Sequence, residues 1–333
     1  MPTIREVAAA AEVSLATASR VLSGTRRVTP ELAERVLAAS RELGYRTNLV
    51  ARGLRRQRTD TVGLVVPRIA NPFFARLVQE LTCLLQPDER VLLVCDAQDS
   101  VEVEAEALHA LVDRQVDGLI VVPSSGAASR AALTAAAANV RLVQVDRVVR
   151  GAGLDLVAAD HAAGIDMVLD HLAGCGWRRT LYVGASEDDS AGRERLAAYR
   201  RAVADGRTEP LAEPLLGSFS VAFGQQAGAA LVRRALAGTA VVAGNDLIAL
   251  GLLDALHRAG VAVPEEVAVT GFDDVGFTDV SAPPLTTVRQ PVAEIAAGAV
   301  ELVLAEDGPR EPVEWRFRPH LVVRRSTDPR AQP

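Results

Sequence analysis

Arg20 can bond a guanine edge or a phosphate, whereas Leu15 and Ala16 can make only apolar contacts such as those with a thymine methyl. With Thr17 and Ser19 they fall in the first half of one helical stretch, the end that a recognition helix turns toward the major groove. Further on, Arg52, Arg55, Arg56 and Arg58 surround Leu54 in a basic run. Cations around an apolar wedge suit the minor groove of a duplex, where the wedge slips between base steps. The plain alternative is a solvated tether between domains.

The elements that must hold Arg20 are legible. Thr3 followed by Glu6 is a capping box, and Ile4, Val7, Ala8 and Ala11 recur at helical spacing. Ser14 can cap a second helix that stops at Ser23-Gly24. Only Glu12 and Val13 separate the two, so they must cross steeply, which is the helix-turn-helix arrangement. Thr29 is placed to cap a third helix with Pro30 at its first position, Leu32, Val36, Ala39 and Leu43 as its buried stripe and Gly44 at its end. Such a bundle can also bind protein, but the charge favours DNA. Residues 1–59 hold 11 arginines against five glutamates in a 333-residue chain of net charge −6, so a basic head precedes an acidic body.

All 36 basic residues are arginine. A phosphate loop of the GxxxxGK[ST] type and a Schiff-base lysine are therefore excluded. His109, His161, His171, His257 and His320 are scattered, without the pairings that a metal site needs. No GxSxG elbow occurs, and GAGLDL at 151–156 ends in leucine and precedes a strand instead of following one. Asp273 and Asp274 imitate a carboxylate pair, but neighbours at a strand end diverge. No catalytic residue, metal or cofactor is expected. Cys83, Cys95 and Cys175 lack CxxC spacing, and with no leader segment evident they read as small core residues in a reducing cytoplasm. No apolar run approaches the ~20 residues that span a bilayer, so no membrane partner is expected.

With 49% hydrophobic residues but only 4% aromatic ones, the cores must be aliphatic, and the length calls for more than one of them. From Thr61 the chain alternates apolar runs with helical stretches: TVGLVV, Phe74 to Leu85, VLLVC, Glu102 to Gln115, GLIVV, Ser129 to Ala138, LVQV. A second series follows: LVAA, His161 to Ala173, TLYVG, Arg193 to Ala204, Phe223 to Leu236, AVVA, Asp246 to Ala259, VAVTGF. Such βαβ series build parallel sheets covered on both faces. The expected fold is an all-α helix-turn-helix head plus an α/β body of two doubly wound parallel-sheet subdomains. A ligand is expected at the strand carboxyl ends facing the crevice between them. The head should span 1–47, a hinge helix and linker 48–60, and the body 61–333. Within the body, one subdomain should take about 61–159 and 291–318, the other about 160–290 and 319–330.

IREVAAAAEVSLATASRVLSG, VTPELAERVLAASRELGY and RTNLVARGL resemble, in register and without gaps, the DNA-binding head and hinge of LacI family regulators. VGLVVPRIANPFF, VDGLIVVP, VQVDR, RERLAAY, AVVAGNDLIALGLLDAL, VPEEVAVTGFDD and PPLTTVRQP extend the resemblance over essentially the whole chain. It implies a homodimer on a near-palindromic operator in double-stranded DNA, with hinge helices paired at its centre, and a body like the periplasmic sugar-binding proteins. Leu15, Ala16 and Arg20 would read bases. Ser14, Thr17 and Ser19 would hold phosphates. Asn48, Ala51, Arg52 and Leu54 would work from the hinge. By motif position the effector pocket would include Phe73 or Phe74, Asp146, Arg195, Asn245 and Asp273, with Phe219 and Gln290 as further contacts. Asp, Asn and Arg bond vicinal hydroxyls and an aromatic face covers a sugar ring, so a mono- or disaccharide fits. Arg193 would then be a surface residue, Asp246 a helix cap, and Asp274 an orienting neighbour.

Several positions depart from the family pattern. Glu12 stands where the turn usually has Gly, at a cost of roughly 1 kcal/mol if left-handed. Thr47 replaces the usual Pro and Gly53 the usual Ser; Gly costs about 1 kcal/mol in a helix, so Gly53→Ser should tighten operator binding. Trp177 replaces a typical His, His161 a common Asn, and LLQPDERVLLV lacks the usual Gly before its strand.

The resemblance implies a cytoplasmic repressor, not an enzyme, in which a sugar closes the crevice and weakens operator binding; DNA must then weaken sugar binding by the same factor. A purine or a protein corepressor would keep the DNA function. A solute-binding protein without a regulatory role would share the body but not the head. Only Arg324 to Pro333 follow Val323, too short for a helix joining dimers into tetramers, so a dimer is expected.

Overall fold

A strand buried on both faces has no polar alternation, and TVGLVV has none: β1 (Thr61–Val66) is buried from Val62 onward. The computed structural model describes residues 2–23, 28–45, 58–234, 236–305, 308 and 311–328. They belong to two compact units, residues 1–60 and 61–333.

In the first unit, α1 (Ile4–Ala10), α2 (Leu15–Ser23) and α3 (Pro30–Glu42) pack around Val7, Ala8, Ala11, Ala18, Val36 and Ala39. The capping box forms: the Thr3 amide donates to Glu6 Oε2 at 2.6 Å, and the Glu6 amide donates to Thr3 Oγ1 at 3.4 Å. The buried stripe of α3 is shorter than its periodicity suggests, because Leu43 lies beyond the helix and is 40% exposed. Thr29 precedes α3 without a side-chain cap bond. Glu12 is left-handed (φ 53°), and Arg35 holds the turn by donating to the Ala11 carbonyl.

The second unit has two parallel sheets. β2 (Val91–Asp96), β3 (Gly118–Val121), β4 (Leu142–Val145), β5 (Asp155–Ala159) and β12 (Glu314–Phe317) join β1 in the order β12-β5-β4-β3-β1-β2. α4 (Pro72–Leu85) and α11 (Val292–Val303) cover one face, α5 (Val101–Asp113) and α6 (Arg130–Ala137) the other. β2 is an edge strand with Val91 54% exposed, so the rule of full burial stops there. Glu89 takes the left-handed position before it (φ 56°), where a Gly is missing.

β6 (Arg179–Ala185), β7 (Glu209–Pro210), β8 (Leu215–Gly217), β9 (Thr239–Ala243) and β10 (Val267–Thr270) make the second sheet. α7 (His161–Gly174) and α8 (Ser190–Ala204) cover one face, α9 (Val221–Leu231) and α10 (Asp246–Arg258) the other. α9 ends at Leu231, short of Leu236, and packs backbone to backbone on α10: a Cβ on Gly224 would strike the Ile248 carbonyl. β11 (Thr287–Arg289) and β13 (His320–Val322) form a separate antiparallel pair. The chain thus leaves the first sheet after β5, returns for α11 and β12, and leaves again for β13. Cys83 is exposed on α4, and Cys95 and Cys175 are only half-buried, so none is the core residue expected.

Candidate functional site

In the head, Ser14 caps α2, accepting from the Thr17 amide at 3.1 Å and lying 2.8 Å from Thr17 Oγ1. Ala18 is buried and fixes the helix on its core, which leaves Leu15 45% exposed and Ala16 and Arg20 in solvent, with Thr17 and Ser19 half-buried. Arg20 Nε donates to the Ala16 carbonyl at 3.0 Å. Asn48, Ala51, Arg52 and Leu54, with Thr47 and Gly53, lie outside the described residues.

In the body, charged side chains gather where strands end. The chain turns left-handed at Asp146 (φ 64°) just after β4, and again at Asp273 and Asp274 (φ 113° and 54°) after β10. Asp tolerates this region better than most residues. Asn245 caps α10 by accepting from the Ile248 amide at 3.0 Å; the cap is not Asp246, which is buried and accepts from Thr287 Oγ1 and the Val275 amide.

Arg195, only 2% exposed, is the hub. Its Nη1 donates to the Gly244 carbonyl at 2.6 Å, its Nη2 lies 3.6 Å from Asp273 Oδ1, and the guanidinium sits 3.7 Å over the Phe272 ring and 5.6 Å over Phe219. Gln290 Nε2 donates to Asp273 Oδ1 at 2.8 Å, and Asn245 also bonds Asp273. Arg195 donates to His161 Nδ1 from Nε (3.4 Å) and Nη2 (3.3 Å), which leaves the ring proton on Nε2, 3.2 Å from the Asp146 carbonyl oxygen. One connected network therefore joins Asp146, Arg195, Asn245, Asp273 and Gln290 with Phe219 at its margin. Phe73 and Phe74 are both buried in the core of the first lobe, and Phe74 meets the network at Arg147, 5.9 Å above its ring.

His161, Arg147 and Asp189 complete the network and were not among the expected residues. Arg147 stands beside Asp146 in VQVDR, and Asp189 is the N-cap of α8; a charged residue directly after an apolar strand was the available signal. Burial pushes the Asp146 carboxyl up to about 7, against the pull of Arg195 and Arg147. Burial, then Arg195, holds His161 well below the usual imidazole range, so its 3.6 Å approach to Asp146 Oδ1 is a contact of a neutral ring and not an ion pair. Burial raises Asp273 as well, with Arg195 opposing. Asp274 diverges: burial would raise it, but Arg289 and Arg324 outweigh that and lower it.

Direct contacts beside this network join the two lobes. Arg147 Nη2 meets Asp189 Oδ2 at 2.8 Å, the Val148 amide donates to Ser190 Oγ at 2.8 Å, and the Gly126 amide donates to the Asp188 carbonyl at 3.0 Å. Arg316 of β12 grips Glu194 of α8 in bidentate fashion at 2.8 and 3.0 Å. Arg193 is half-buried and donates to the Glu187 carbonyl.

Residues 3–48 match the family described as bacterial regulatory proteins, lacI family, and residues 169–327 match a periplasmic binding protein-like domain. The HTH-type transcriptional regulator AscG of Escherichia coli is 34% identical over 313 residues, 92% of this chain and 93% of AscG. The chain belongs to the LacI family. This LacI-family chain is thus a helix-turn-helix transcriptional regulator with a periplasmic-binding-protein-like body. It is also 32% identical to the regulator GalR of Salmonella typhimurium, over 98% of this chain and 96% of GalR. Among solved structures, the Lac repressor dimer bound to operator and the anti-inducer ONPF matches with a TM-score of 0.87 at 26% identity, over 98% of this chain and 99% of that one. A CelR–cellobiose complex matches at 32% identity with a TM-score of 0.71, over 98% of this chain and all of that one.

No helix among the described residues is long and apolar enough to cross a membrane. One histidine does pair at the i,i+4 spacing that the scattered pattern denied: Cys175 Sγ lies 3.7 Å from His171 Nε2 on α7. His171 is tied to Thr327 at 2.8 Å, and among the described residues no three His, Cys, Asp or Glu side chains are placed to share a metal.

Proposed function

We propose that this regulator represses transcription from the cytoplasm by binding a near-palindromic operator as a homodimer. A mono- or disaccharide entering the crevice releases it. The observation that carries the reading is the network centred on Arg195, which joins polar groups at strand ends of both lobes, so a ligand bound there bears on their relative position. Relatives point the same way: the Lac repressor match holds operator DNA, and the CelR match holds cellobiose. Leu15, Ala16 and Arg20 read bases; Ser14, Thr17 and Ser19 hold phosphates; Asp146, Arg195, Asn245, Asp273 and Gln290 hold the sugar, with Phe219 against its ring. The site is a binding site and not an enzyme's: the buried His161 has no nucleophile to activate, its two ring nitrogens being taken by Arg195 and the Asp146 carbonyl. A purine fits less well, because Phe272 is capped by Arg195 and only Phe219 offers a partly open face.

The test is operator release. Fluorescence anisotropy on operators selected from random duplexes should show tight, salt-sensitive binding that one sugar weakens. Asp273→Asn, which suits the left-handed backbone, should keep operator affinity and lose the sugar response. Release that persists unchanged in the variant would place the effector elsewhere.

A further inference from the structure

Gln144, Leu156 and Glu314 stand side by side across β4, β5 and β12, in register and on one face of the first sheet. Val143, Val145, Val157 and Trp315, which alternate with them, point to the core on the other face. Because β4 and β5 are parallel neighbours, the chain between them must run back along the strands, and it does so with left-handed turns at Gly151 (φ 74°) and Gly153 (φ 67°). This return loop and the row of three enclose a cavity of about 240 Å³. No residue of the Arg195 network lines it.

The walls are largely apolar, from Leu154, Leu156, Pro312 and Val313. A cavity of about 150 Å³ holds benzene, so an occupant here has a body of roughly that size or slightly more. The polar groups facing it have donors to spare. Gln144 is buried, and its Oε1 accepts from the Val149 amide at 2.7 Å. Its Nε2 carries two protons and makes only a long bond, 3.5 Å, to the Leu154 carbonyl. The Arg150 side chain is 71% exposed at the rim, with Nη2 3.8 Å from Glu194 Oε1. Acceptors are already engaged: the Arg150 carbonyl by Arg130, the Val313 carbonyl by the Leu156 amide, and Glu314 Oε1 by Arg316 Nε at 2.7 Å. Around the mouth, the guanidiniums of Arg130, Arg150 and Arg316 outnumber the carboxylates of Glu194 and Glu314.

We propose that this cavity is a second ligand site, separate from the crevice, for a small carboxylic acid with an apolar body. Its carboxylate pairs with Arg150, and its body lies on Leu154, Leu156 and Pro312. The site touches the second lobe at two points. Arg150 faces Glu194 of α8, and Val148, which lines the cavity, donates its amide to Ser190 Oγ. A carboxylate on Arg150 competes with Glu194, so an occupant loosens one tie between the lobes.

The test is methyl NMR on the full chain, with benzoate and isovalerate as probes and benzamide and isovaleramide as their uncharged isosteres. The acids should shift the methyl signals of Leu154, Leu156 and Val313, and the amides should bind about fivefold more weakly. Arg150→Gln, a change at an exposed side chain, should weaken the acids about fivefold and leave the amides unaffected. Glu194→Gln ends the competition for Arg150 and should tighten the acids about twofold to threefold. Methyl signals that no probe shifts overturn the inference, as do amides that bind as well as their acids. So does acid binding that Arg150→Gln leaves unchanged or that Glu194→Gln fails to strengthen. Neither operator nor sugar enters the experiment, so each of these failures leaves the crevice reading standing.

Discussion

Asp146→Asn should change how the protein's stability depends on pH. The carboxyl is 6% exposed, faces Arg147, Arg195 and neutral His161 on one side and the like charges of Asp189 and Asp273 on the other, and titrates at about 7 instead of 3.8. Because the folded value lies above the unfolded one, the folded chain holds a proton that the unfolded chain has lost, and stability falls as pH rises between 3.8 and 7. At about 1.4 kcal/mol per unit, the full cost is roughly 4 kcal/mol, reached above pH 7 and absent below pH 4. Asparagine has nearly the same shape, tolerates the left-handed backbone and does not ionise. The variant should therefore gain on its parent by about 2–3 kcal/mol between pH 5 and pH 7, with less than about 0.5 kcal/mol more by pH 8. Denaturant titrations at those three pH values measure this, followed by the fluorescence of Trp177 and Trp315, which both lie in the second unit. A difference that stays constant from pH 5 to pH 8, or one that favours the parent, would refute the argument.

Arg316→Gln breaks the bidentate grip on Glu194, a pair whose side chains are 23% and 21% exposed, and should speed hydrogen exchange at the Val148 and Gly126 amides roughly tenfold; unchanged exchange means the pair does not hold the two lobes together. Glu12→Gly removes a left-handed non-glycine residue while the Arg35 bond to the Ala11 carbonyl survives, and should stabilise the head by about 0.5–1 kcal/mol, read as slower exchange at Val7 and Val36. Gly224→Ala drives a methyl against the Ile248 carbonyl where α9 meets α10, and should cost about 1–3 kcal/mol in denaturant titration without moving operator affinity.

Element types were readable because the apolar runs of strands such as TVGLVV and LVQV differ so plainly from the stripes of the helices between them. The misreadings have local causes. Leu236 extends the apolar pattern of α9, but the helix stops at Leu231 and Leu236 joins the same core from outside it. VAEIAAGAVELV is mostly apolar, and only Glu294 and Glu301, two turns apart, mark the exposed face of α11; Ile295, Ala296, Ala299, Leu302 and Val303 bury against the first sheet and α4. The short strands β11, β12 and β13 are fixed by pairing with residues far away in sequence, which periodicity does not register.

The site was legible only in part for a related reason. Asp146, Arg195, Asn245, Asp273 and Gln290 came from motif position, and what motif position cannot convey is who neutralises whom. His161 replaces a common Asn, and the substitution looks like an added charge when read along the chain. In three dimensions it adds none: burial and Arg195 keep the ring neutral, and its two nitrogens link a guanidinium on one lobe to a carbonyl on the other. Asparagine offers the same pairing, an oxygen that accepts and a nitrogen that donates, but a shorter reach and no ring to lie 5.8 Å from Phe272. His161 thus does the work of an amide in a longer, more rigid form. Its neutrality leaves Asp146 the buried carboxyl without a dedicated cation, which is why burial prevails there and raises it to about 7.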